Sequence, residues 1–68
     1  MGNRYLIAGA SGMLGTALQR VLAERGEVFE APPEAEFDIT DDDVVTRVVG
    51  EFAAAASAAG DTAVLLNA

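Results

Sequence analysis

Several residue types that carry common chemistry are missing from this chain of 68 residues. It contains no cysteine, no histidine and no lysine. Without cysteine there is no disulfide, thiolate metal site or cysteine nucleophile, and without histidine the commonest metal ligand and general base is absent. The lack of lysine excludes a P-loop, which needs a Lys followed by Ser or Thr to reach the terminal phosphates of a nucleoside triphosphate.

The charge of the chain is strongly negative and unevenly distributed. The formal net charge is −7, and nine of the eleven acidic residues lie between Glu24 and Asp43. Such a surface repels the phosphates of nucleic acids and of anionic lipids, so neither is expected as a partner. No apolar stretch approaches the ~18–20 residues of a membrane span, and none resembles a signal peptide. We therefore expect a cytoplasmic protein.

Three glycines at three-residue spacing, Gly9, Gly12 and Gly15, follow a short apolar run and precede a helical pattern. The run, residues 5–8, is typical of a buried strand in a parallel sheet. In a dinucleotide-binding turn the first glycine allows the turn, the second lets the backbone approach a pyrophosphate, and the third lets the helix lie close to the strand. We predict such a turn here, the alternative being a strand–turn–helix corner whose glycines serve packing alone.

Strand and helix patterns alternate along the rest of the chain. They predict a helix at 13–25, a weak strand at 27–31, a very short strand at 37–40, a helix from Thr40 to the stop at Gly60, and a strand at 62–67. Thr40 and Asp43 resemble a capping box. The last strand should lie beside the first and parallel to it. The fold class is therefore α/β, the N-terminal half of a doubly wound parallel sheet of Rossmann type, ordered β-α-β-(β)-α-β.

One face of each predicted helix is apolar and should pack on the sheet. These faces comprise Leu14, Ala17, Leu18, Val21 and Leu22 in the first helix, and Val44, Val45, Val48, Val49, Phe52, Ala53 and Ala56 in the second. Asp41, Asp42 and Asp43 crowd the start of the second helix, where the helix dipole favours negative charge. Adjacent helical residues point in different directions, so these acids are not expected to bind a metal.

Three segments of the chain resemble the N-terminal part of an extended short-chain dehydrogenase/reductase, and more narrowly of the dTDP-4-dehydrorhamnose reductases. They are residues 9–15, 37–41 and 64–68. The resemblance implies that a full-length form would reduce the 4-keto group of a dTDP-deoxysugar during dTDP-rhamnose biosynthesis, using NAD(H) or NADP(H). The chain, 1–68, is then expected to be a partial NAD(P)-binding domain, with the nucleotide-sugar substrate site and a possible homodimer belonging only to the full-length form.

The resemblance also implies a set of cofactor-binding residues. They are Gly9, Ser11, Gly12, Met13, Leu14, Gly15, Asp38, Ile39, Asn67 and Ala68. Ser11 to Leu14 would contact the pyrophosphate and ribose, Asp38 would accept from the adenine amino group, and Ile39 would pack on the ring. Asn67 and Ala68 would border the adenosine and nicotinamide ribose. The alternatives are a strand end with a helix cap at residues 38 and 39, and simple closure of the sheet at residues 67 and 68.

The chain departs from the family pattern at several positions. Ala8 stands where the family often has Thr, and the acid that usually binds the adenosine ribose falls on Pro33, with Glu30 and Glu34 out of register. Glu30 lies in the right region for this acid, but the preference of the site for NAD or NADP stays open.

The family's Tyr-x-x-x-Lys pair is absent, because the only tyrosine is Tyr5 and there is no lysine. We therefore expect no catalytic residue and no activity in this chain alone. The alternatives are a non-catalytic nucleotide-binding or regulatory module, and a fragment of a sugar-nucleotide epimerase or dehydratase.

Overall fold

Three parallel strands and two helices form the fold in a computed structural model, which describes residues 2–68. In chain order the elements are β1 (Asn3–Ala8), α1 (Met13–Glu24), β2 (Val28–Glu30), α2 (Asp42–Ala58) and β3 (Thr62–Asn67). The strand order is β2-β1-β3, and β1 pairs in parallel with both neighbours. The α/β class and the position of β3 beside β1 are thus confirmed, and the arrangement is compatible with part of a Rossmann-type sheet.

The central strand β1 is buried on both faces of the sheet. Successive side chains of a strand point to opposite faces, and Leu6 and Ile7 are the largest side chains that are fully buried. Leu6 belongs to a cluster with Ala8, Phe37 and Phe52, against which the valines of α2 pack. Ile7 belongs to the opposite cluster, with Ala10 and Leu22, to which Leu18 of α1 adds. The two helices therefore cover opposite faces, as the unbroken apolar run of β1 predicts.

The predicted short strand at residues 37–40 is wrong, since residues 37 and 38 are irregular and residues 39 and 40 form a turn, with no strand pairing. Phe37 is only 3% exposed and packs into the α2-side cluster. Asp38 then accepts hydrogen bonds at Oδ1 from the backbone N–H and the hydroxyl of Thr40, at 2.9 and 2.6 Å. The N–H group of Thr40 is thus satisfied within the turn, whereas in a strand it would donate to a neighbouring strand.

The predicted N-cap of the second helix is also wrong by one residue. Asp41, rather than Thr40, caps α2, and its Oδ1 accepts from the backbone N–H groups of Asp43 and Val44 at 3.1 and 3.3 Å. The hydroxyl of Thr40 donates to Asp38 instead. The apolar face of α2 is confirmed except at Ala53, which is exposed.

The apolar face predicted for the first helix is only partly correct. Leu22 is buried and Leu18 is half-buried, but Ala17 is exposed and Leu14 and Val21 keep 58% and 46% of their surface exposed. Gly15 takes a place in the buried face, because the helix packs closest to the glycine turn there. The face of α1 that packs on the sheet thus contains Gly15, Leu18 and Leu22.

None of the helices in the described part of the chain has the length and apolar character needed to cross a membrane.

Candidate cofactor-binding site

The candidate site lies where β1 and β3 end. The turn containing Gly9 follows β1, and Ala68 follows β3. The backbone N–H of Ala68 donates to the carbonyl oxygen of Ala8 at 2.9 Å, which holds the two strand ends together. In open α/β sheets, ligands bind in the crevice outside the carboxyl ends of the strands. The predicted glycine turn and the predicted residues 67 and 68 therefore meet at the edge of the sheet where a ligand is expected.

Two of the three glycines are required by the packing of the chain itself. Gly9 has φ +75°, and a Cβ there would lie 2.5 Å from the carbonyl oxygen of Ala68. A Cβ at Gly15 would overlap the carbonyl oxygen of Gly9 and lie 2.7 Å from Cα of Ala10. Because these neighbours are backbone atoms, they cannot rotate away. Gly9 forms the turn and Gly15 lets α1 approach it, as the spacing predicts.

Gly12 differs from the other two glycines, because the fold leaves room for a side chain there. Its backbone is extended, at φ −76° and ψ 174°. A Cβ would meet only the carbonyl oxygen of Gly9, at an ordinary 3.5 Å. Neither backbone strain nor packing therefore explains this glycine. In a dinucleotide-binding turn this is the position at which the backbone approaches a pyrophosphate.

The N-terminus of α1 is open to an anion, in contrast to that of α2. Gly12 is the N-cap of α1, no side chain caps the helix, and its first turn holds no acid. In α2, Asp41 accepts from two backbone N–H groups, and Asp42 and Asp43 lie in the first turn. An uncapped first turn leaves backbone N–H donors at the positive end of the helix dipole, which is a suitable place for a phosphate.

A side-chain hydrogen bond fixes the glycine turn against α1. Nε2 of Gln19 donates to the carbonyl oxygen of Ala10 at 2.9 Å. Ala10 is itself 8% exposed and belongs to the α1-side cluster. The turn is therefore held to α1 by a hydrogen bond and by apolar packing, which keeps its backbone donors in a defined position.

A groove of about 250 Å³ runs beside the turn and brings half of the predicted cofactor-binding residues together. Its lining consists of Gly9, Ser11, Gly12, Glu34, Phe37, Ile39 and Ala68. Five of these seven residues belong to the predicted set, and they come from three separate segments of the chain. The loop between β2 and α2 supplies Ile39, so this loop forms one wall of the site.

The other five predicted residues do not line this groove. Met13 is 93% exposed and borders a neighbouring groove that shares Ser11 and Gly12 with the first and reaches Arg20 on α1. Leu14 is exposed, and Gly15 is buried beneath the turn. Asp38 lies next to the lining residues 37 and 39, and Asn67 is exposed at the end of β3.

The carboxylate of Asp38 is held by the turn that it forms with Thr40. The hydrogen bond from the Thr40 hydroxyl, together with the one from the Thr40 backbone N–H, lowers the pKa of Asp38 below its usual 3.8. Both bonds reach Oδ1, so within residues 2–68 the structure gives Oδ2 no hydrogen-bond partner. An ionised carboxylate with one unoccupied oxygen is able to accept a hydrogen bond from an amino group.

Sequence reasoning did not place Phe37 and Glu34 in the lining. Phe37 stands alone between acidic residues in a polar loop, and this isolated aromatic residue was the available signal for a buried anchor. Glu34 is out of register with the usual ribose acid of the family, so its position in the sequence does not indicate it. Glu30, considered for that role, instead lines a separate groove against α2 with Glu36 and Glu51. In the described part of the chain no acidic residues are grouped so as to hold a metal ion.

Comparison with known proteins gives one match. A family model described as the RmlD substrate binding domain matches residues 3–64. No curated protein and no solved structure gives a significant match. The matched range contains β1, the glycine turn, both helices and the loop that forms the wall of the groove.

Proposed function

Because the chain belongs to the family of the RmlD substrate binding domain, whose members are dTDP-4-dehydrorhamnose reductase-like proteins, we propose that it is the NAD(P)(H)-binding part of a sugar-nucleotide reductase. The bound cofactor would supply a hydride for reduction of the 4-keto group of a dTDP-deoxysugar. The residues of this chain would bind and orient the cofactor.

The observation that carries this proposal is the position of Gly12. It is the one glycine of the motif that packing does not require, it lies in the groove, and it begins an uncapped helix. A pyrophosphate placed there would contact the backbone directly and receive N–H groups from the first turn of α1. These three properties are those that a dinucleotide-binding turn requires.

The proposed division of labour assigns no catalytic residue to this chain. Proton donation in the reductases is expected from a Tyr-x-x-x-Lys pair, in which Lys lowers the pKa of Tyr. Tyr5 is half-buried in β1, packs against the α1-side cluster, and its hydroxyl accepts from Nδ2 of Asn3 at 3.4 Å. With no lysine in the sequence, we propose that the chain by itself binds cofactor without turnover.

The second candidate function is a non-catalytic nucleotide-binding module. The uncapped N-terminus of α1 beside the glycine turn favours it, because such a module needs this turn and no proton donor. Affinity for ADP equal to that for NADH and NADPH would support the module, since only the reductase gains from contacts to the nicotinamide half. The family match favours a reductase over the epimerase or dehydratase. A cytoplasmic location and a homodimer of a full-length form stay predictions.

Calorimetric titration of the 68-residue chain with NADH and with NADPH tests the proposal. We expect binding of at least one of them, and we expect Gly12→Ala to weaken it about tenfold or more, because a methyl group would hold the pyrophosphate off the backbone. Gly50→Ala is the matched control, since a Cβ at Gly50 in α2 would meet nothing within 4 Å. A folded chain that binds neither cofactor, or a Gly12→Ala variant that binds as the parent does, would refute the proposal.

A further inference from the structure

Glu34 has a fixed position in the wall of the groove. It begins a turn at residues 34–36, in which the carbonyl oxygen of Pro33 accepts from the backbone N–H groups of Glu36 and Phe37 at 2.9 and 3.0 Å. Phe37 anchors this turn in the α2-side cluster, with Leu6 among its neighbours. The turn therefore holds the Glu34 backbone at the groove even though its side chain is exposed.

The carboxylate of Glu34 dominates the charge of the groove. It is the only charged side chain among the lining residues. Within residues 2–68 no hydrogen bond or ion pair engages it, whereas Oδ1 of nearby Asp38 is already occupied by Thr40. No arginine lines the groove, and Arg20 borders the neighbouring groove on the flank of α1. The site thus offers a free hydrogen-bond acceptor and no cation.

NAD(H) and NADP(H) differ at the adenosine ribose, which is the group that the carboxylate of Glu34 would contact. The adenosine ribose of NAD(H) presents hydroxyl groups, which donate hydrogen bonds to a carboxylate, whereas NADP(H) carries a phosphate on the 2′ oxygen. A phosphate monoester has a charge near −1.5 to −2 at pH 7 and is repelled by a carboxylate. In dinucleotide-binding folds the acid that reads the ribose lies about 20 residues beyond the glycines. Glu30 and Glu34 lie 18 and 22 residues after Gly12, so the spacing admits both acids and the lining of the groove distinguishes them.

We propose that Glu34 reads the adenosine ribose and makes this site selective for NAD(H) over NADP(H). The inference rests on the proposed function. It assigns the role to the loop after β2 instead of to the strand end, where Glu30 faces the other groove. Glu34 is a specificity-determining residue in this scheme: it accepts from the ribose hydroxyls of one cofactor and repels the 2′-phosphate of the other.

Paired calorimetric titrations with NADH and NADPH test this selectivity, using the parent chain and two variants. The parent should bind NADH about tenfold or more tightly than NADPH, equivalent to about 1.4 kcal/mol. Glu34→Gln keeps the shape and removes the charge, so the ratio of the two affinities should fall severalfold, mainly through tighter binding of NADPH. Glu36→Gln is the matched control, because Glu36 lies in the same turn but lines the other groove, and it should leave the ratio unchanged.

Salt provides an independent readout of the same electrostatic effect. Raising the ionic strength screens the repulsion between Glu34 and the 2′-phosphate. The ratio of the affinities for NADH and NADPH should therefore fall toward one in the parent and change little in Glu34→Gln.

The outcomes separate this inference from the proposed function. Binding of neither cofactor to the folded parent overturns both. Three other outcomes overturn only the proposed role of Glu34 and leave cofactor binding in place. They are equal affinity for NADH and NADPH, tighter binding of NADPH, and an affinity ratio that Glu34→Gln leaves unchanged. Circular dichroism of each variant shows that it is folded before it is titrated.

Discussion

Replacing Gly15 by alanine should destabilise this protein far more than an alanine normally does in a helix. The new Cβ would overlap the carbonyl oxygen of Gly9 and approach Cα and C of Ala10 to 2.7 and 2.9 Å. All three atoms belong to the backbone of the turn, so relief requires moving α1 away from the sheet. That movement would weaken the packing of Leu22 in the α1-side cluster.

The size of the effect follows from two opposing contributions. Overpacking a close contact costs about 1–3 kcal/mol and sometimes more, and the rigid neighbours here place Gly15→Ala at the upper end of that range. Alanine also favours the helix over glycine by about 0.5–1 kcal/mol. The net loss should be about 2 kcal/mol, a large share of the roughly 3–10 kcal/mol of unfolding free energy typical of a chain of this length.

Urea unfolding followed by far-ultraviolet circular dichroism measures this loss. With a slope of about 1 kcal/mol per molar urea for a small protein, the midpoint for Gly15→Ala should fall by about 2 M. Gly50→Ala provides the control, because a Cβ added to this glycine of α2 would meet nothing within 4 Å, and its midpoint should rise by about 0.5–1 M. An equal or higher midpoint for Gly15→Ala than for the parent would refute the close helix–turn contact.

Two further predictions concern the loop and the start of α2. Asp41→Ala removes the acceptor of two backbone N–H groups and should lower the free energy of unfolding by about 1 kcal/mol. Urea unfolding checks this, and a loss no larger than that of Asp42→Ala would contradict the cap. Because Thr40 lowers the pKa of Asp38 below 3.8 in the folded chain, the stability that these hydrogen bonds add is complete above pH 3.8 and is lost as pH falls through the lowered pKa. Thr40→Val should therefore lose less stability between pH 6 and pH 3 than the parent, as measured by unfolding at both pH values, and a loss equal to that of the parent would contradict this reasoning.

The periodic segments of this fold were predictable from local sequence. An apolar run flanked by turn residues indicates a buried strand, and apolar residues at helical spacing indicate a helix. These patterns located β1, α1, α2 and β3 to within a few residues, and the right-handed crossover rule placed β3 beside β1. The extent of β2 was predicted less accurately because only Val28 and Phe29 carry its apolar pattern, and the strand is shorter than predicted.

The orientation of α1 was not predictable from its apolar pattern. Leu14 and Val21 match the helical period as well as Leu18 and Leu22 do, yet they are largely exposed. Hydrophobic periodicity favours burial of the helix face that carries the larger apolar residues. The contact between Gly15 and the turn favours burial of the face on which α1 can approach the turn most closely. This steric constraint acts between segments, so the helical period alone does not reveal it.

The sequence by itself determined the alternation of strands and helices, the glycine turn, and the family to which its motifs are similar, because each is encoded by residues close together in the chain. Only the tertiary structure decided which acid stands at the groove. Glu30 and Glu34 are both acidic residues in one short segment, and no local pattern distinguishes them. The burial of Phe37 against β1 and α2 fixes the loop so that Glu34 lines the groove and Glu30 does not. The same packing leaves Gly12 as the one glycine of the motif whose missing side chain the fold does not need, since contacts between distant segments alone reveal where a Cβ would fit.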